Sequence, residues 1–132
     1  GPREIREELG LEVQFKDILP VGRRVFVYCF TPGVIEYEIQ DVFILMRHIR
    51  PDALALQKEE VDGVLEMDLE QGIELFSGTR SSAEGALYRT EAQEERVSVS
   101  ARDFVPCIDN YYLKLLLLAQ QCLNGERKLL SI

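Results

Sequence analysis

The spacing of apolar residues changes along the chain, and each spacing predicts a different element. Residues 3–9 predict a short helix, because Ile5 and Leu9 lie four positions apart and form an apolar stripe among charged neighbours. Gly10 follows where a left-handed residue commonly ends a helix. Beyond it, apolar and polar residues alternate over residues 13–16, a period of two that predicts a half-buried strand.

Two longer apolar runs predict a pair of neighbouring strands. Residues 23–30 are rich in β-branched and aromatic residues and are apolar on both faces, which is typical of a central strand. Residues 37–46 predict the next strand, and Pro32 and Gly33 between the two runs indicate a turn. We therefore expect the two strands to pair in antiparallel orientation.

A strand and a capped helix are predicted in the acidic middle of the chain. Residues 61–67 predict a short strand, and Asp68 is a helix N-cap with Gln71 three residues later as its capping-box partner. Gly78 ends the predicted helix. The apolar stripe of this helix consists of Leu69, Ile73 and Phe76.

The last third of the chain combines a polar segment with a strongly apolar one. Residues 79–103 are rich in Arg, Glu and Ser and predict a weakly structured polar excursion, with a short strand at residues 97–99. Residues 109–124 predict a long helix, which Gly125 ends. The order of elements predicts a single α+β domain over residues 1–132, with a mixed or antiparallel sheet.

Composition and charge narrow the class of protein. The 132 residues carry a net charge of −8, which argues against binding a nucleic-acid polymer, and no apolar run is long enough to span a membrane. Cys29, Cys107 and Cys122 stand in apolar surroundings without the spacing of metal ligands, so we expect buried, reduced thiols and a cytoplasmic protein. His48 is expected at the surface or at a strand end.

The carboxylates of the first helix form the main candidate site. Residues three and four positions apart share a helix face, so Glu4, Glu7 and Glu8 project together, away from the apolar stripe. Arg3 can form an i,i+4 ion pair with Glu7. Two interpretations stay open at this point: a solvated face held by ion pairs, or oxygen ligands gathered for a hard divalent cation.

The segment REIREELGL, residues 3–11, matches the second half of the Nudix box. The segment EVQFKDILPVG resembles the strand that follows the box in Nudix proteins. The stretch EEVDGVLEMDLEQGIEL resembles their late acidic segment, with Leu65 in place of the usual tryptophan. The segment that begins DNYYLKLLLL is similar to the last helix of the subgroup related to isopentenyl-diphosphate isomerase. The resemblance implies a Nudix-like α/β/α sandwich with a mixed, largely antiparallel sheet that lacks the early strands.

The resemblance also implies roles for individual residues of the first helix. By position, Glu7 and Glu8 match the principal Mg²⁺ or Mn²⁺ ligands of the family. Glu4 matches a further metal ligand or the residue that orients or deprotonates water. Arg3 matches the arginine that holds a box glutamate in place, which makes Glu4 and Arg3 the catalytic candidates.

Two later parts of the chain supply further candidates. A later acidic residue is a common addition to the metal site in the family, and Glu60, or its neighbour Glu59, is the residue expected to provide it. Tyr111 and Tyr112 stand in the first turn of the last predicted helix. They either line a substrate cleft or pack in the interior.

The resemblance implies Mg²⁺-dependent hydrolysis of a diphosphate linkage in a nucleoside diphosphate derivative or a related small molecule. Two alternatives remain, namely an isopentenyl-diphosphate isomerase-like enzyme and a catalytically inactive, truncated or binding domain. In the family, the first half of the box and several strands precede the matched segment. We therefore expect an N-terminally truncated domain, in which Gly1 and Pro2 are a trace of tag removal or of a shortened gene product. A homodimer is one way to cover the sheet edge that such a truncation exposes.

Overall fold

Helices and antiparallel sheets make up the chain. A computed structural model describes residues 2–90, 92–107 and 109–125. In chain order the elements are α1 (Pro2–Leu9), β1 (Ile18–Thr31), β2 (Val34–Leu45), β3 (Val64–Met67), α2 (Leu69–Ser77), β4 (Ala83–Tyr88), β5 (Glu95–Val99) and α3 (Tyr111–Leu123). The predicted α+β class is confirmed. Gly1 and residues 126–132, on which part of the sequence-based predictions falls, lie outside the described residues.

β1 and β2 form a long antiparallel hairpin, as the sequence predicts. The register runs from Ile18 opposite Leu45 to the predicted turn at Pro32 and Gly33. Near the start of the hairpin the register shifts by one residue, and Val21 is the extra residue on β1. Such a bulge bends the strand and increases its local twist.

Two expectations for this region are wrong. Residues 23–30 are not a central strand, because β1 pairs with β2 alone within the described part of the chain. Residues 13–16 are not a strand either. Phe15–Asp17 form a 3-10 turn, in which the carboxylate of Asp17 accepts a hydrogen bond from the backbone N–H of Gln14 at 3.4 Å. The alternation is too short to outweigh this local side-chain capping.

The second sheet consists of β3, β4 and β5, with β4 in the centre and antiparallel to both neighbours. Both β4 and β5 lie within residues 79–103, so the prediction of a weakly structured excursion is wrong there. The expected strand at residues 97–99 is part of β5. The buried residues of β4 are Ala83, Gly85 and Ala86. Such small side chains give a weak hydrophobic signal, which explains why the sequence does not reveal the central strand.

Asp68 and Gln71 organise the first turn of α2. The carboxylate of Asp68 accepts a hydrogen bond from the backbone N–H of Gln71 at 3.0 Å, which confirms the predicted N-cap. Gln71 does not complete a capping box, because its side-chain oxygen accepts from the N–H of Glu84 at 3.1 Å and ties α2 to β4. Gly72 and Leu75 are the buried residues of the helix. The predicted stripe is half-buried instead: Leu69, Ile73 and Phe76.

The hairpin packs one of its faces against α3. Val21 and Val42 of the hairpin and Leu118 of α3 form the buried centre of this contact. α3 begins at Tyr111, slightly later than the sequence predicts, because Asn110 has a left-handed φ of 54° and stands outside the helix. The long apolar helix at the end of the chain is otherwise confirmed.

The three cysteines differ in burial, contrary to the expectation that all are buried. Cys122 is buried against the core, Cys107 is intermediate and Cys29 is exposed. Cys29 stands near the tip of the β1–β2 hairpin, where its thiol lies 3.2 Å from the carbonyl oxygen of Thr31. The apolar run around Cys29 therefore does not predict its burial, because a two-stranded hairpin has too few neighbours to cover it.

Candidate functional site

The carboxylates of the first helix lie at or near the surface, but they do not project together away from the apolar stripe as predicted, because Glu4 and Glu8 line one cavity with that stripe and Glu7 does not. Glu4 and Glu7 are exposed, and Glu8 is half-buried. The Nε atom of Arg3 donates to Oε1 of Glu7 at 3.0 Å, which confirms the predicted i,i+4 ion pair. Because both partners are exposed to solvent, this pair contributes little to stability and mainly fixes the direction of the Glu7 side chain.

Gly10 turns the chain sharply at the end of α1. Its φ is +69°, and its N–H donates to the carbonyl oxygen of Arg6 at 3.0 Å, which confirms the predicted left-handed C-cap. A Cβ atom at this position would lie 2.7 Å from Cβ of Ala55. Glycine is therefore required both by the backbone angle and by the close approach of the neighbouring segment.

The segment that carries Glu60 is bound to the end of α1 through its backbone. The N–H of Gln57 donates to the carbonyl oxygen of Glu8 at 2.9 Å, and the N–H of Ala55 donates to that of Leu9 at 3.0 Å. The carbonyl oxygen of Gln57 then accepts from the N–H of Glu60 at 2.9 Å, which closes a turn. These bonds satisfy carbonyl groups at the helix C-terminus and anchor the acidic turn on α1.

A groove of about 530 Å³ runs between α1 and β2. Glu4 and Glu8 line it from the helix, and Glu38 and Asp41 line it from the strand. Its apolar lining consists of Ile5, Leu9, Ile39, Val42 and Phe43. Carboxylates from two elements therefore border one partly apolar groove, and this is the candidate site.

Tyr111 also lines the groove, and its ring stacks on a buried arginine. The guanidinium carbon of Arg24 lies 3.9 Å from the ring centroid of Tyr111, and Arg24 is 9% exposed. Arg24 donates from Nε and Nη2 to the carboxylate of Asp109 at 3.3 and 3.1 Å. It also donates from Nη1 to the side-chain oxygen of Gln40, a further groove residue, at 3.0 Å. A fixed cation thus lies next to the groove.

The Arg24–Asp109 pair remains ionised despite its burial. Burial lowers the pKa of Arg24, but the hydrogen bonds to Asp109 outweigh this effect and raise the pKa. Burial likewise raises the pKa of Asp109, and the hydrogen bonds from Arg24 outweigh it, so that the pKa of this carboxyl lies below its ordinary 3.8. Burial raises the pKa of Tyr111, which keeps the phenol neutral beside the groove.

Tyr112 is half-buried, packs against other aromatic rings and lines a separate cavity of about 210 Å³. Its ring stacks on Phe76 at a centroid distance of 5.0 Å and lies 5.5 Å from the ring of Phe104. Its hydroxyl donates to the carbonyl oxygen of Val105 at 2.7 Å. Burial raises the pKa of Tyr112 to about 12. Of the two tyrosines considered as cleft residues, Tyr111 borders the groove and Tyr112 has a packing role.

His48 is exposed, as predicted, and lines a different cavity of about 470 Å³. Arg50, Tyr88 and Arg89 line the same cavity, together with Glu66. None of the described residues that line it belongs to α1. His48 is therefore separate from the carboxylates of the candidate site.

The predicted metal ligands do not converge on one point. Within residues 2–90, 92–107 and 109–125, no group of three or more His, Cys, Asp or Glu side chains is arranged to hold a metal ion. Glu4 and Glu8 line the groove, Glu7 is held by Arg3, and Glu60 is exposed on its own turn. A metal site built from these four carboxylates stays a prediction.

The residues that hold Tyr111 in place could not be predicted from the sequence. Arg24 follows Arg23 at the start of an apolar run of β1, and nothing in this doublet indicates which arginine is buried. Its partner Asp109 is 85 residues away in the chain, and Gln40 is 16 residues away. The periods of helices and strands indicate contacts within one element. They do not reveal contacts between distant elements, so these partners could not be predicted.

Comparisons with known proteins identify no relative of this chain. No protein family, curated protein or solved structure matches the chain. Among the helices that the structure describes, none is long and apolar enough to cross a membrane.

Proposed function

We propose that the chain is a Nudix-type, Mg²⁺-dependent hydrolase that cleaves a diphosphate linkage in a nucleoside diphosphate derivative or a related small molecule. The observation that carries the proposal is that Glu4 and Glu8 of the REIREELGL helix line one groove together with Glu38 and Asp41 of β2. A chain with a net charge of −8 repels a diphosphate unless cations lie between them. Glu4, Glu8 and Glu38 are suitable ligands for such cations, whereas Asp41 is paired with Arg23 at 2.8 Å.

The donor set suits Mg²⁺ in its chemistry. Mg²⁺ prefers carboxylate oxygens, and it commonly uses one or two of them and completes its coordination with water and substrate phosphate oxygens. Among the four predicted ligands, Glu4 and Glu8 line the groove, and Glu7 and Glu60 are the further candidates. The absence of three converging side chains among the described residues is therefore compatible with a site that the substrate helps to complete. When bound, the ion supplies neutralisation of charge at phosphorus and a lowered pKa of its water.

The remaining roles belong to side chains and backbone of the chain itself. The carboxylate of Glu4 accepts the proton of the attacking water, as a general base. Arg3 keeps Glu7 in one direction through its 3.0 Å ion pair. Gly10 and its contact with Ala55 fix the end of the helix. The ring of Tyr111 offers an apolar surface to the rest of the substrate, and it is held there by Arg24.

Chromatography of the reaction products tests the proposal, because cleavage within a nucleotide sugar or a dinucleotide gives two phosphomonoesters and no free inorganic phosphate. The substrates are nucleotide sugars, dinucleotides, nucleoside triphosphates and prenyl diphosphates, each with and without Mg²⁺. We expect turnover that requires Mg²⁺ and falls at least about tenfold in the Glu8→Gln variant. The matched control is Glu70→Gln, which neutralises an exposed carboxylate in the first turn of α2 and should leave turnover unchanged.

Turnover that Glu8→Gln leaves intact would contradict the role of the helix. A folded protein that acts on none of these substrates would contradict the hydrolase and favour a binding domain. Conversion of a prenyl diphosphate to its isomer without phosphate release would favour the isomerase alternative.

A further inference from the structure

The outer face of the β1–β2 hairpin, opposite to the face that packs on α3, is apolar and exposed. Val25 lies directly across from Ile39, and Tyr37 lies two residues before Ile39 on the same face. These three side chains are 56%, 66% and 71% exposed. Ile35 and Phe43 continue the row at alternate positions of β2 and are also exposed. We call Val25, Ile35, Tyr37, Ile39 and Phe43 the outer-face patch.

This arrangement departs from the usual pattern of a sheet with one packed face. The inner face contributes Val42 and Ile44 to the core with α3, so that end of the face is covered, whereas its residues nearer the turn are exposed. The outer face of such a sheet is normally polar, because water is its neighbour. A two-stranded hairpin with an apolar face in water is also marginally stable on its own. A second surface that covers the outer-face patch would remove these apolar side chains from water and would stabilise the hairpin.

Charge complementarity indicates what that surface is. Arg23 and Asp41 lie opposite each other on the same face, and Arg23 Nε donates to Asp41 Oδ1 at 2.8 Å. The same face thus carries one cation and one anion side by side next to the patch, although the whole chain has a net charge of −8. When such a face meets its own copy across a two-fold axis, Arg23 of each copy can lie against Asp41 of the other. The surface is therefore complementary to itself, as an isologous interface requires.

The area of the patch is sufficient for a stable contact. Five apolar side chains, each roughly half to three-quarters exposed, present on the order of 500 Å² of apolar surface. An interface of standard size buries about 800 Å² on each partner, and a little more than half of this area is apolar. The outer-face patch therefore supplies roughly the apolar area that one partner contributes to a standard dimer.

We propose that two copies of this chain associate through the outer-face patch, with their hairpins packed face to face. This inference goes beyond the proposed hydrolase and does not depend on it. Ile39 and Phe43 belong both to the patch and to the lining of the groove beside α1, so the second copy forms part of the outer wall of each groove.

The test measures the molar mass by sedimentation equilibrium, in EDTA and without substrate, from about 1 to about 100 μM. We expect wild type to reach the mass of two chains. Arg23→Asp and Asp41→Arg each place like charges across the two-fold axis, so each variant alone should have the mass of one chain. An equimolar mixture of the two variants should regain the mass of two chains, because its charges are opposite across the interface. This rescue excludes misfolding as the cause of the single-variant result.

Two matched controls complete the design. Arg50→Asp alters the exposed Arg50–Asp52 pair outside the patch and should leave the dimer intact. Ile39→Thr, which keeps a β-branched side chain, should weaken association, whereas Phe15→Thr should not, although Phe15 is 83% exposed. A wild-type mass of one chain at every concentration would overturn the proposal. A dimer that survives Arg23→Asp and Asp41→Arg unchanged would overturn it too.

Discussion

The guanidinium of Arg24 and the carboxylate of Asp109, 85 residues apart in the chain, are joined by hydrogen bonds of 3.3 and 3.1 Å. The pair connects β1 of the hairpin to the residues just before α3. Tyr111, two residues after Asp109, stacks on the same guanidinium and lines the groove. The position of one groove wall therefore depends on an ion pair outside the groove.

Removal of the Asp109 charge should destabilise the fold strongly. Asp109→Asn leaves the buried guanidinium of Arg24 without its anion, and we expect a loss of about 2–4 kcal/mol in the free energy of unfolding. Asp52→Asn is the matched control, because it removes the anion of the exposed Arg50–Asp52 pair at 3.0 Å and should change stability little. Urea unfolding measures the stability of both variants. Equal losses of stability in the two variants would contradict a stabilising role of the Arg24–Asp109 pair.

The same carboxyl should affect stability in acid. Its pKa lies below 3.8 in the folded chain, so its contribution is complete above the ordinary pKa and is lost as the pH falls through the lowered value. Wild type should therefore lose more stability than Asp109→Asn between about pH 5 and pH 2. Thermal melts over this range give the comparison, and parallel curves for the two proteins would show that the pKa is not lowered.

Local signals account for the features that the sequence predicts correctly. The Arg3–Glu7 pair, the Asp68 cap and the turn at Pro32 and Gly33 each involve residues that are at most four positions apart. Their geometry is fixed by helix and turn spacing, and the sequence shows that spacing directly. The antiparallel hairpin follows from the same reasoning, because two apolar runs flank a clear turn.

The features that could not be predicted depend on distant residues or on small ones. β4 is central in its sheet, yet Ala83 and Gly85 give no strong apolar signal. The sequence predicts the helix carboxylates as candidates, but nothing in their spacing indicates that Glu38 and Asp41 share the groove with them. That relation arises from how α1 lies beside β2, which is a property of the tertiary structure.

Gly10 should be far less tolerant of substitution than another left-handed glycine. Gly10→Ala adds the strain of a left-handed alanine, about 1–2 kcal/mol, and brings the new Cβ within 2.7 Å of Cβ of Ala55. Gly33→Ala has the same backbone strain at φ +82° but meets nothing within 4 Å. We expect Gly10→Ala to lose clearly more stability than Gly33→Ala in urea unfolding. Equal losses of stability would show that the segment at Ala55 can move away from the new Cβ atom without destabilising the fold.

Tyr112 should give the fold a sensitivity to alkaline pH. Its pKa is raised from 10.0 to about 12, so its contribution to stability is present below pH 10 and is lost as the pH rises through about 12. Tyr112→Phe removes both this titration and the 2.7 Å hydrogen bond to Val105. The variant should be less stable than wild type at pH 8, and the gap should narrow between about pH 10 and pH 12. A gap that stays constant over this range would contradict the raised pKa.

The proposed function requires that the helix carboxylates bind a divalent ion, and electron paramagnetic resonance of Mn²⁺ measures this binding. The titration uses methylenediphosphonate, a diphosphate that cannot be hydrolysed, so that binding is measured apart from turnover. We expect wild type to bind Mn²⁺ more tightly when the diphosphonate is present, and Glu8→Gln to weaken this binding at least about tenfold. Glu84→Gln, on the exposed side of β4, should bind as wild type does. Equal Mn²⁺ affinity in wild type and Glu8→Gln would contradict the proposed function.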